Sequence, residues 1–99
     1  MMNRRELIVT GPAGDPLVAE QMEALRGDPE GARERELDVR EREGTTFLLE
    51  LTGKDGGLVA RWDNLVGVSE PWAKIDTMPA RRRQLREAAA ATHQSTRPL

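Results

Sequence analysis

The sequence predicts a small α/β domain, a mixed sheet in the order β-α-β-β-β-α with helices packed on it. Three observations carry this. A glycine turn, Gly53-Lys54-Asp55-Gly56-Gly57, separates two apolar runs and argues a β-hairpin. A short apolar run, Leu7-Ile8-Val9, ends at Gly11-Pro12 and is followed by the helix start Asp15-Pro16. Helical apolar spacing then returns near the C-terminus, at Trp72, Ile75 and Met78, and stops at Pro79.

Each element has a local reason. Leu7-Ile8-Val9 is apolar throughout and short, which suits a buried strand. Asp15 accepts hydrogen bonds from free helix amides, and Pro16 suits the first helical position. Leu17, Val18, Met22 and Leu25 share one face of the helix that follows, and Gly27 ends it. Asp28-Pro29 opens one more turn, weakened by Gly31. Residues 33–43 alternate charge around Leu37 and Val39, as an exposed edge strand does when charge guards it against another chain. Thr46-Phe47-Leu48-Leu49-Glu50-Leu51 is the strongest strand and is expected at the centre. Leu58-Val59-Ala60-Arg61-Trp62 returns antiparallel after the glycine turn. Ser69 is positioned to cap a short helix burying Trp72, Ile75 and Met78. Pro79 starts a last, alanine-rich helix ending near Ala91. Residues 1–91 are expected to form one domain, and residues 92–99 a flexible tail.

Composition bounds the chemistry. Ninety-nine residues suit one domain with a thin core. Phe47, Trp62 and Trp72 are the only aromatic residues, so aliphatic side chains must fill that core. The net charge of −2 argues against nucleic acid as a partner. No run approaches the length of a membrane helix, and the N-terminus lacks a signal-peptide core, so a cytoplasmic location is expected. The absence of cysteine excludes thiol redox chemistry, thiolate nucleophiles and disulfides. His93 is the only histidine, and no catalytic triad or metal cluster can be assembled around it. No cofactor is expected.

A parallel β-α-β unit followed by a hairpin and a helix is a reduced thioredoxin-like arrangement. The chain resembles the thioredoxin-like domain of unknown function called P-DUDES, which occurs in vertebrate matrix and sushi-repeat proteins and stands alone in bacteria. The resemblance rests on Gly53-Lys54-Asp55-Gly56-Gly57 with Arg61 after it, and on Ile75-Asp76, Met78-Pro79 and Arg81-Arg82. Weaker similarity covers Leu7 to Pro16 and Gly31 to Val39, so most of residues 5–88 is included. It implies a thioredoxin-like fold. Two departures stand out. The stretch from Arg40 to Thr45 leaves room for a loop where family members carry a helix, and Gln84 stands where they carry an acid. Gly11-Pro12-Ala13-Gly14-Asp15-Pro16 occupies the place of a redox motif, and Thr45-Thr46 that of the facing cis-proline.

The candidate site is an arginine cluster: Arg61, Arg81 and Arg82, with Asp76. Cations in the first turn of a helix oppose its dipole, at about 0.3–1 kcal/mol each. A negative charge must therefore sit opposite. The preferred reading is internal ion pairing, with Asp76 facing the arginines and Arg61 within reach of it. The alternative is a bound phosphate or carboxylate at the helix start. The glycine turn lacks phosphate-loop spacing and joins strand to strand, so it reads as hairpin geometry. Two functional classes follow. The leading one is a non-catalytic interaction module that binds an unknown protein or a second copy of itself, because a shortened sheet leaves edges uncovered. The other is an enzyme or sensor that takes a small anion.

Overall fold

The structure is a computed structural model. It describes the backbone of residues 4–96 and, apart from positions 80 and 91–96, their side chains. Four strands, β1 (Arg5–Gly11), β2 (Leu37–Glu43), β3 (Leu48–Thr52) and β4 (Leu58–Trp62), form one mixed sheet in the order β2-β1-β3-β4. β1 and β2 run parallel, β3 is antiparallel to β1, and β4 is antiparallel to β3. The helices are α1 (Pro16–Arg26), α2 (Pro29–Glu34), α3 (Ser69–Asp76) and α4 (Pro79–Thr96). The mixed α/β class, the edge position of β2 and the inner position of β3 are as the sequence predicts. β3 is reached from β2 by a short connection alone, as the spacing requires.

The turn chemistry acts where it was expected. Asp15 caps α1 by accepting from the Leu17 amide at 2.9 Å, and Gly27 closes the helix. In the hairpin the Gly53 amide donates to the Gly57 carbonyl at 2.9 Å, and the Asp55 carboxylate accepts from the Gly57 amide at 3.0 Å. Gly56 has φ +86°, a conformation that a side chain would strain.

Burial alternates along β1. Arg5, Leu7, Val9 and Gly11 face inward, while Glu6, Ile8 and Thr10 are half-exposed on the other side. The inward face forms one core with Leu37, Phe47, Leu49 and Leu51, covered by Val18, Met22 and Leu25 of α1 and by Trp72 and Ile75 of α3. The opposite face is a ladder of ion pairs between strands: Arg40 with Glu6 at 2.6 Å and Arg42 with Glu50 at 2.9 Å, with Arg4–Asp38 at 3.0 Å beside them. Such exposed pairs keep the face solvated and contribute about 0–1 kcal/mol each.

Three expectations change. Leu17 is 45% exposed, and Gln21 is fully buried in its stead. Residues 18, 21, 22 and 25 follow the i, i+3, i+4, i+7 stripe, and Leu17 lies one position off it. Gln21 is tolerated because its amide donates to the Val66 carbonyl at 2.9 Å and accepts from the Val66 amide at 3.0 Å. Ser69 is the first residue of α3 and caps nothing; Val68 stands at the cap without a side-chain bond. The last helix continues past Ala91 to Thr96, so residues 92–96 of the expected tail have helical backbone, and 97–99 lie outside the described residues.

The Gln21–Val66 pair yields a prediction. Replacing Gln21 with Ala leaves the half-buried Val66 amide and carbonyl without their partner, and should cost about 1–3 kcal/mol in urea unfolding. A loss below about 0.5 kcal/mol would show that the pair does not anchor the loop before α3.

Candidate functional site

The arginines gather where α2, β1 and the α3–α4 junction meet. Arg5 lies on the core-facing side of β1, and only 1% of it is exposed. Its guanidinium donates to the carbonyl of Arg35, and its Nε has no partner. Arg35 follows the last turn of α2. Its Nη1 donates to the Gly31 carbonyl at 2.9 Å and its Nη2 to Asp76 Oδ2 at 2.9 Å. The same guanidinium sits 5.4 Å from the centre of the Trp72 ring, within cation–π range.

A second layer fixes Trp72. Its indole N–H donates to Asp28 Oδ2 at 2.8 Å, while Asp28 Oδ1 accepts from the Gly31 amide at 3.1 Å. The Asp28 carboxyl is held below its ordinary pKa by the indole first and the amide second. Gly31 is required here, since a Cβ would collide with both the Asp28 carboxylate and the Trp72 indole. The glycine that weakens α2 in sequence is thus the one that lets the tryptophan close over it.

Arg81 completes the cluster from the first turn of α4. Its Nε donates to Asp76 Oδ1 at 3.3 Å, and its Nη1 donates to the Glu34 carbonyl at 3.0 Å and to Gln84 Oε1 at 3.1 Å. Only 6% of Arg81 is exposed. Gln84 hands the network on, donating to Glu36 Oε1 at 3.0 Å, and Lys54 from the hairpin turn meets Glu36 Oε2 at 3.0 Å. Glu36 itself sits at φ +51°, an uncommon backbone for a residue with a Cβ. Gln84 is therefore a two-way bridge.

Asp76 holds both partners with different oxygens. Burial acts to raise its pKa, but hydrogen bonds from Arg35 and Arg81 and the attraction of their charges prevail, and the net shift is downward. Glu36 is lowered by the hydrogen bond from Lys54 first and that from Gln84 second. Burial lowers Arg5, with Glu36 opposing and Arg81 reinforcing.

Of the four residues expected from sequence, the structure brings together Asp76 and Arg81. Arg82 is exposed beside them. Arg61 does not reach Asp76: it is exposed on β4 opposite Glu50, which already pairs with Arg42. It lines an open groove of about 400 Å³ with Trp62 and Lys74. The physical reason is register, since Arg61 points to the ion-pair face of the sheet while α3 covers the other. Arg5 and Arg35 were missed. Alternation with Leu7 and Val9 is the signal that would have put Arg5 on the buried face.

Among the described residues no group of His, Cys, Asp and Glu side chains is placed to hold a metal, and no helix is long and apolar enough to cross a membrane. No family model, curated protein or solved structure matches the chain.

Two predictions test the cluster. Asp76→Ala takes from Arg35 and Arg81 their shared, partly exposed carboxylate and should cost about 1–3 kcal/mol. Arg61→Ala and Arg82→Ala should stay within about 0.5 kcal/mol. Equal losses for all three positions in chemical denaturation would contradict the geometry. In acid, Asp76 and Glu36 both have depressed folded pKa values, so their stabilisation is complete above the ordinary carboxylate range of about 3.9–4.3 and fades as pH falls through the lower folded values. The melting temperature should therefore hold from pH 7 to 5 and drop below about pH 4, with a shallower drop in Asp76→Asn. An identical acid profile in that variant would remove Asp76 as a source of the drop.

Proposed function

We propose that this chain is a non-catalytic, reduced thioredoxin-like interaction module whose last helix is a partner-binding arm. The strand order β2-β1-β3-β4, with β1 and β2 parallel and β3 reversed, supports the thioredoxin-like reading. The observation that carries the function is α4. Eighteen residues give a helix of about 27 Å, yet beyond its first turn the described side chains are exposed, save for half-buried Gln84. The principal extents of 60 × 25 × 22 Å reflect this projection. A helix draws most of its stability from an apolar face packed on something else. Here Ala88, Ala89 and Ala90 supply intrinsic helix propensity instead, and Leu85 is left 42% exposed.

The base of the arm is built as an anchor. Arg81 ties it to Asp76 and to the backbone of Glu34, while Gln84 ties it to Glu36. The cations that oppose the helix dipole are answered by an internal carboxylate, which supports pairing over an anion site. A rigid base and an unpacked shaft suit a helix that completes its burial on another protein.

The test is truncation. A chain ending after Glu87 should keep its unfolding midpoint within about 2 °C of the full chain, because the described side chains it removes, Ala88, Ala89 and Ala90, are exposed. It should also lose the proteins cross-linked to the tagged full chain in cells. A fall in midpoint comparable to that of a core substitution, or an unchanged set of cross-linked proteins, would refute the arm.

A further inference from the structure

The exposed edge of β2 is a second unpartnered surface, and its charge order identifies what fits it. Within the sheet, the Glu36 carbonyl accepts from the Arg5 amide and the Gly44 amide donates to the Gly11 carbonyl. Strand geometry alternates, so even-numbered residues of β2 direct their backbone groups at β1. Leu37, Val39, Glu41 and Glu43 direct theirs outward. Among the described residues the edge therefore offers a row of free N–H and C=O groups along a seven-residue strand.

The side chains along that row are Leu37, Asp38, Val39, Arg40, Glu41, Arg42 and Glu43. Two copies lying antiparallel about a two-fold axis at Val39 place Asp38 opposite Arg40, twice. Leu37 then lies opposite Glu41, and Val39 meets Val39. Moving the axis one residue sets Asp38 against Asp38 or Arg40 against Arg40. One register is free of like-charge opposition, and it centres the pairing on the apolar residue. The faces agree as well: Asp38 and Arg40 share the ion-pair face, and Leu37 and Val39 share the core face.

The core face beside this edge is incompletely covered. A groove of about 400 Å³ runs between β2 and the α1–α2 side, lined by Leu25, Ala32, Leu37 and Val39 with Arg26 and Arg33 among its cations. The second copy would bring Val39 to this groove and Glu41 toward Arg26, which already neighbours the first copy's Glu41 in an adjoining groove.

We propose that β2 is a self-pairing edge, through which two copies of the chain join their sheets into one continuous eight-stranded sheet. The inference rests on the interaction-module reading, but uses a different surface from α4. The alternating charge that looks like a guard against pairing repels at the neighbouring registers and attracts at one.

Sedimentation equilibrium reads the outcome. At about 100 μM the unmodified chain should have about twice its 11.0 kDa mass. Asp38→Arg and Arg40→Asp each set like charges opposite one another, and should weaken association roughly tenfold or more. An equimolar mixture of these two variants should recover the dimer, because each supplies the charge that the other needs. Both changes fall on exposed or half-exposed positions, and circular dichroism checks that each variant folds. Hydrogen exchange on the unmodified chain is independent of any variant: the Val39 and Glu41 amides should gain protection as concentration rises.

A monomeric unmodified chain at that concentration would overturn the proposal. So would a dimer indifferent to both variants, or a mixture that stays monomeric. A dimer lost on truncation after Glu87 and insensitive at β2 would move self-association to α4 and leave the module reading standing. A monomer that still loses its cross-linked partners on truncation would overturn β2 pairing alone.

Discussion

The carboxylate of Asp76 is the point on which the chain's two halves depend. It ends α3, and its two oxygens are divided between Arg35 at the end of α2 and Arg81 at the start of α4. Arg5, at the head of β1, is tied to the same place through the Arg35 backbone. Three guanidinium groups converge in a partly desolvated space, and such a gathering is stable only while negative charge compensates it. Asp76 from within and Glu36 at the rim supply that charge. The cluster thereby fixes the direction in which α4 leaves the body, a matter the apolar core does not control.

Division of labour follows from the thinness of the core. With three aromatic residues in the whole chain, apolar packing is confined to one face of the sheet under α1 and α3. The opposite face is kept in water by cross-strand ion pairs of small individual worth. At the junction where α4 departs, half-buried Met78 is the apolar contact with the core, and polar contacts from Asp76, Arg81 and Gln84 supply the rest. Trp72 links the two regimes: its ring belongs to the core, its edge donates to Asp28, and its face meets Arg35.

What could be read from the sequence was what is local. The Asp15-Pro16 helix start, the Gly53–Gly57 hairpin, the charged edge strand and the Pro79 break all depend on residues a few positions apart. Asp76 and Arg81 were legible for the same reason, being five residues apart across a helix break. Arg5 and Arg35 were not, since Arg5 meets Arg35 across 30 residues and Arg35 meets Asp76 across 41, and their sequence neighbours look like ordinary charge runs. Burial of Gln21 is not legible in sequence, because polar character argues against burial unless a partner such as Val66 is known. The place of Arg61 is not legible either, because spacing along β4 does not reveal which sheet face α3 covers.

The same charge alternation produces opposite results on the two sides of β2. Toward β1, Asp38 and Arg40 project beside Arg4 and Glu6 and settle into pairs within the chain. Toward solvent, the order of signs is preserved along an edge whose backbone groups remain free. An edge strand of uniform charge would repel every copy of itself at every register. Here the sign reverses across Val39, negative at Asp38 and positive at Arg40, so copies centred there attract and copies offset by one residue repel, and the feature that makes those encounters unproductive also selects the one that is not.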